Sequence, residues 1–145
     1  MDNRTGMVIE RPAQDIFDAI VNPSKIGAFW FSSSSQPWQT GRIITLVYEE
    51  YDARGEILVL DMIEGQKICF GWGKDGQGNE VTITLVPVGR ASTRVEVVER
   101  GFEEGHADVL RAMLDNKEGW VYMLSCLKAY LEFGVTALRG ALVKG

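Results

Sequence analysis

Few residues of this chain belong to the types that do covalent or metal chemistry, and their placement argues against both. There is one histidine, His106, in the segment FEEGHAD, and there are two cysteines, Cys69 and Cys126. No Cys-x-x-Cys pair and no pair of carboxylates at ligand spacing accompanies them, so no metal site is expected. No Gly-x-Ser-x-Gly elbow exists, and nothing local pairs a thiol with the imidazole as nucleophile and base. Neither a catalytic residue nor a cofactor is therefore assigned. GWGKDG, residues 71–76, matches Gly-x-Gly-x-x-Gly letter for letter. A dinucleotide loop must leave a strand and open a helix, whereas the residues that follow, NEVTITLVP, alternate like a strand. Residues 74–78 read instead as a hairpin connection.

Two sets of residues remain. Glu99 shares the parity of Thr93, Val95 and Val97, so its carboxylate is expected on the core side of a strand, where it orients a ligand, unless an arginine pairs with it or the strand bulges or ends before it. The aromatic residues Trp30, Phe31, Trp38, Phe70, Trp72, Trp120, Tyr122 and Tyr130 form the other set; such residues build a core or wall a cavity.

Composition bounds what these residues can serve. The chain has 145 residues, 46% hydrophobic content and a formal charge of −5. That is enough apolar material for one core without staples, and residues 1–145 are expected to form a single domain. A pI near 4.9 and scattered basic residues argue against nucleic acid and against a membrane-surface patch. No apolar signal region opens the sequence and no segment reaches transmembrane length, so a cytoplasmic protein with free buried thiols is expected.

The period of the apolar residues sets the elements. Residues 6–10 suggest a short strand, and RPAQDIFDAIVNP a helix with Pro12 in its first turn. SKIGAFWF reads as one or two further helical turns, and SSSSQP, residues 32–37, as a loop. Five strands are then expected at 41–51, 55–62, 66–72, 80–88 and 92–101, joined by turns at 52–55 and 64–65. From about residue 105 to 134 the pattern is helical, with a tail to 145.

That last helix is apolar on too many sides. At about 100° per residue, Trp120, Leu124, Leu127 and Leu131 make one stripe, and Tyr122, Cys126, Ala129 and Phe133 a second. With Met123 and Tyr130 they cover roughly 220° of its circumference. A curved antiparallel sheet of six strands with this helix across its concave face would hide that surface, or leave a gap for a ligand.

The chain resembles the START-like (SRPBCC) superfamily with its helix-grip fold, and specifically the branch named for the activator of heat-shock protein 90 ATPase. The resemblance rests on IERPAQDIFDAIVNP, FWF, QKICFGWG, VTITLVPVGRASTRVEVVERGF and GWVYMLSCLKAYLEFG, in that order, over roughly residues 7–134. Gly101-Phe102 closes the last strand as in that branch, and Gly119-Trp120, Leu124 and Leu127-Lys128 match its helix. The resemblance implies an α+β fold with two short helices after the first strand and a cavity for hydrophobic small molecules. It does not transfer an activity.

The function expected is binding of a small hydrophobic or amphipathic ligand by Trp30, Phe31, Trp38, Phe70, Trp72, Glu99, Trp120, Met123, Leu127 and Tyr130. The Phe31–Pro37 loop and the start of the long helix are expected to gate entry. Two alternatives stand beside it: a cyclase- or dehydratase-like enzyme using Glu99, and a co-chaperone-like interaction module. Homodimerisation through the apolar tail is a further expectation. The chain lacks the additional N-terminal domain of the eukaryotic co-chaperone, which argues against stimulation of heat-shock protein 90.

Overall fold

Strict alternation in the last two strands places Val81, Ile83 and Leu85 on one face and Thr93, Val95, Val97 and Glu99 on the facing positions of the neighbour. The computed structural model, which describes residues 1–143, buries all seven of these side chains. They lie on β6 (Glu80–Gly89) and β7 (Ser92–Arg100), paired antiparallel with Ile83 opposite Val97 and Val81 opposite Glu99.

The remaining strands are β1 (Asp2–Ile9), β2 (Ser33–Ser34), β3 (Ile43–Tyr48), β4 (Ala53–Ile63) and β5 (Lys67–Trp72). Every pairing is antiparallel, and the order across the sheet is β1-β7-β6-β5-β4-β3-β2. Irregular pairing at Val59/Asp61 and at Pro87/Gly89 adds local twist to the curved sheet. The sheet has seven strands and not the expected six. The seventh comes from the serine run read as a loop: Ser33 and Ser34 pair with Val47 and Leu46. A two-residue strand lies below the length at which periodicity can be seen.

Between β1 and β2 stand α1 (Ala13–Val21) and α2 (Pro23–Ile26). Pro12 is the N-cap of α1 rather than a member of its first turn. Asn22 ends α1 and caps α2, its Oδ1 accepting from the Ser24 N–H at 3.0 Å. The turn expected at 52–55 falls earlier: a 3-10 turn over Glu49–Tyr51 leads to left-handed Asp52, and β4 already begins at Ala53.

The long helix α3 spans Val109–Phe133, starting later than expected, and left-handed Gly134 ends it. Trp120, Met123, Leu124, Cys126 and Leu127 are buried. β1 is an edge strand, and α3 covers its free carbonyls: Lys117 Nζ donates to the Arg4 oxygen and Lys128 Nζ to that of Val8 at 2.8 Å. Glu132 accepts from the Glu10 N–H at 2.9 Å. Phe133, expected in an apolar stripe, is 74% exposed because it closes the last turn before the chain departs.

The Gly-x-Gly-x-x-Gly segment has structural grounds. Gly73 and Gly76 adopt φ of 93° and 70°, and a Cβ on Gly71 would meet the Gly76 oxygen at 2.3 Å. The segment is a folded-back β5–β6 connection, as its sequence context indicates.

Candidate functional site

Three layers of aromatic side chains meet where the concave sheet, the α2–β2 connection and α3 converge. Trp30 and Phe31 follow α2 with centroids 4.9 Å apart. Trp30 also meets Trp120 of α3 at 5.5 Å, and Phe31 meets Tyr48 of β3 at 5.5 Å and Trp72 of β5 at 6.4 Å. A cavity of about 370 Å³ remains between them, within the usual range for small-molecule sites. Its aromatic wall is Trp30, Phe31, Tyr48, Tyr51, Trp72, Trp120 and Tyr122; Met123, Ala53 and Leu142 complete the apolar part. Asp115, Asn116 and Gly119 line it along α3.

Behind this wall sits Glu99, 3% exposed. It accepts from Trp120 Nε1 at 3.0 Å, Asn79 Nδ2 at 3.1 Å and, at 3.5 Å, from Trp72 Nε1. Among the described residues no arginine pairs with it; three N–H donors from β5, the β5–β6 connection and α3 converge on it instead. It is not part of the cavity lining, and its contacts orient two of the indoles that are.

The chain after α3 forms another wall. Arg139 is 7% exposed. Its Nε donates to the Trp30 carbonyl at 2.6 Å, Nη1 pairs with Glu50 at 2.7 Å and Nη2 donates to Ser32 Oγ at 2.9 Å. The guanidinium lies 4.6 Å from the Tyr48 ring centre. In return Tyr48 donates its hydroxyl proton to the Arg139 carbonyl at 2.5 Å, Tyr51 to that of Leu142 at 2.8 Å, and Tyr122 to that of Leu138. Three cavity tyrosines thus strap residues 138–142 across the site. The Tyr48 hydroxyl is pushed up to about 12, chiefly by burial, and the Arg139 hydrogen bond holds Glu50 below its usual range.

Five of the ten sequence-derived residues, Trp30, Phe31, Trp72, Trp120 and Met123, line the cavity. Trp38, Phe70 and Leu127 are fully packed in the core, with Trp38 edge-on to Phe70 at 5.5 Å. Tyr130 stacks on Phe29 at 6.0 Å, further along α3. The expected gate is held rather than loose. Ser33 and Ser34 pair with β3, Ser35 Oγ accepts from the Thr45 N–H at 2.9 Å, and Arg139 holds Ser32.

Tyr48, Tyr51, Asp115, Asn116, Gly119 and Leu142 were not foreseen. Gly119 carried a signal: a glycine inside a helix costs about 1 kcal/mol relative to alanine and calls for a reason. Nothing lies within 4 Å of where its Cβ would stand, and the space is cavity. His106 is exposed on the approach to α3, and burial pushes both free thiols up, which disfavours thiolate chemistry. Among the described residues no three His, Cys, Asp or Glu side chains converge as metal ligands, and no helix is long and apolar enough to cross a membrane.

Residues 10–132 match the family model described as Activator of Hsp90 ATPase homolog 1-like protein. The structure is similar to that of the protein SSP2350 from Staphylococcus saprophyticus, with TM-score 0.82 and 46% identity over 94% of this chain and 95% of that one. It is also similar to an Aha1 from Colwellia psychrerythraea, solved as a dimer, with TM-score 0.79 and 18% identity over 92% and 98% of the two chains. DynU16, a putative protein in the dynemicin biosynthetic locus, matches with TM-score 0.79 and 21% identity over 95% of this chain but 49% of its own. No curated protein sequence matches.

Proposed function

This chain belongs to the family of Activator of Hsp90 ATPase homolog 1-like proteins, and on that premise we propose that it is a single-domain binding protein for a small, largely apolar ligand, acting in the cytoplasm. The observation that carries the reading is the cavity of about 370 Å³ with seven aromatic side chains in its wall. An apolar cavity gains free energy when a complementary molecule enters, roughly 25 cal/mol for each Å² removed from water. Enclosure is the mechanism: sheet, α3 and the Arg139 strap surround the ligand, and Glu99 keeps two walls in place. The position of Glu99 outside the lining counts against the cyclase- or dehydratase-like alternative, since an acid or base must reach the reacting atom.

Native mass spectrometry of freshly purified protein tests this directly. A co-purified small mass, displaced by a hydrophobic dye, is the expected result. Unchanged amide spectra on addition of both lipid extracts and hydrophobic dyes would overturn it.

One observation favours a second reading, an interaction module of co-chaperone or homodimer type. Leu110, Leu114 and Val121 are spaced to share one face of α3, and all three are exposed. Size-exclusion chromatography and chaperone capture, each repeated with Leu114→Glu, separate this surface from the cavity.

A further inference from the structure

Four indole N–H groups are present in and around the cavity, and three have protein acceptors. Trp72 and Trp120 donate to Glu99, and Trp38 donates to Ser34 Oγ at 3.1 Å. The hydroxyls of Tyr48, Tyr51 and Tyr122 donate to carbonyls of the C-terminal strap. Trp30 differs. It is 7% exposed and stands in the cavity wall, yet among the described residues no acceptor meets its Nε1–H. No fully enclosed side-chain nitrogen or oxygen lacks a partner among these residues, so the Trp30 nitrogen keeps accessible surface. A donor left unmet on a residue of a mostly aromatic wall favours a ligand that brings an acceptor to it, because an unmet N–H disfavours burial of a purely hydrocarbon surface.

The charges around the cavity bear on the acceptor as well. The Glu99 carboxylate lies directly behind two wall indoles, and Asp115 is among the lining residues. Arg139, a cation beside the cavity, already directs Nε, Nη1 and Nη2 at Trp30, Glu50 and Ser32. Among the described residues, an anionic ligand would meet these two acidic side chains and no cationic donor left free beside them.

Resting on the ligand-binding reading above, we infer that Trp30 Nε1 is the specificity-determining donor of the cavity, and that the ligand is a neutral molecule with an apolar body and a carbonyl-, ether- or hydroxyl-type oxygen placed to accept from it. The ring of Trp30 serves any apolar ligand; its N–H selects among them.

Three probes of similar shape test this by calorimetry: fluorene, 9-fluorenone and fluorene-9-carboxylate. Wild-type protein should bind 9-fluorenone roughly five- to tenfold more tightly than fluorene, and more tightly than the carboxylate. Trp30→Phe keeps an aromatic ring and removes the donor, and should abolish the ketone preference, so that 9-fluorenone and fluorene bind with equal affinity. Because the variant loses ring area in the core, the wild-type indole N–H resonances give an independent readout. The Trp30 signal should move downfield with 9-fluorenone and not with fluorene, while those of Trp38, Trp72 and Trp120 move less. Fluorene binding without a ketone preference, a preference that survives in a folded Trp30→Phe, or tighter binding of the carboxylate overturns this inference alone. Failure of all three probes to bind overturns it together with the cavity reading.

Discussion

The carboxylate of Glu99 on β7 accepts a hydrogen bond from the indole nitrogen of Trp120 on α3 at 3.0 Å. It is a polar tie between β7, the neighbour of edge strand β1, and the helix that faces the sheet, and Asn79 and Trp72 complete it. Glu99→Leu would leave three donors without this acceptor. Each unmet buried donor costs about 1–3 kcal/mol, and partial access to water offsets some of that, so a loss of roughly 3 kcal/mol in stability is expected. Glu99→Gln keeps one acceptor oxygen but turns an NH2 toward a donor, and should lose roughly 1–2 kcal/mol. Urea unfolding monitored by tryptophan fluorescence measures both; equal stability of Glu99→Leu and wild type would show that the tie carries no stability.

Gly119 separates stability from binding. Alanine there has open space around its Cβ and is the better helix former, so Gly119→Ala should raise stability by about 0.5–1 kcal/mol. Gly119→Leu projects a larger side chain into the cavity and should weaken ligand binding at least tenfold while leaving the fold intact. Thermal denaturation and dye titration on the same two proteins check the opposite signs.

Arg139 holds the strap. Arg139→Ala removes its bonds to Trp30, Glu50 and Ser32 and its contact with Tyr48. Removal should cost roughly 1–3 kcal/mol and speed proteolysis within residues 135–143. Arg139→Lys retains the charge without the planar fork that serves three acceptors at once, so its cleavage rate should lie between the two. A cleavage rate equal to wild type in both variants would mean that the tyrosine hydroxyls alone hold the segment.

The same strap predicts an alkaline limit. The hydroxyl of Tyr48 is pushed up from the ordinary tyrosine value of 10.0 to about 12 in the fold, mainly by burial, with Arg139 acting in the opposite direction. Between these values the folded protein keeps a proton that the unfolded chain has lost, so stability falls as pH rises. The contribution is complete below about pH 10 and is lost progressively toward pH 12. Tyr48→Phe should flatten this part of a stability-against-pH curve and, by removing the bond to the Arg139 carbonyl, lower stability at neutral pH by about 1 kcal/mol.

Local pattern carried much of the architecture. Alternation on Val81, Ile83, Leu85, Val95 and Val97, and helical spacing on Trp120, Leu124 and Leu127, are imposed by the geometry of one strand or one helix turn, so the residues themselves disclose them. Element order, the antiparallel sheet and the inward parity of Glu99 were readable for that reason, while the family rested on the resemblance of five segments in order. Which aromatic residues meet is not a local property. Trp38 and Trp30 are eight positions apart and equally aromatic, yet one is fully packed and the other lines a cavity, because strand register and the path of α3 assign them different neighbours. Ser33–Ser34 became a strand because β3 presented a free edge to it. Arg139, 107 positions from Ser32, became part of the site only when the chain beyond Gly134 crossed back over the aromatic wall. Periodicity states which side of an element is apolar; only the packed chain determines what that side touches.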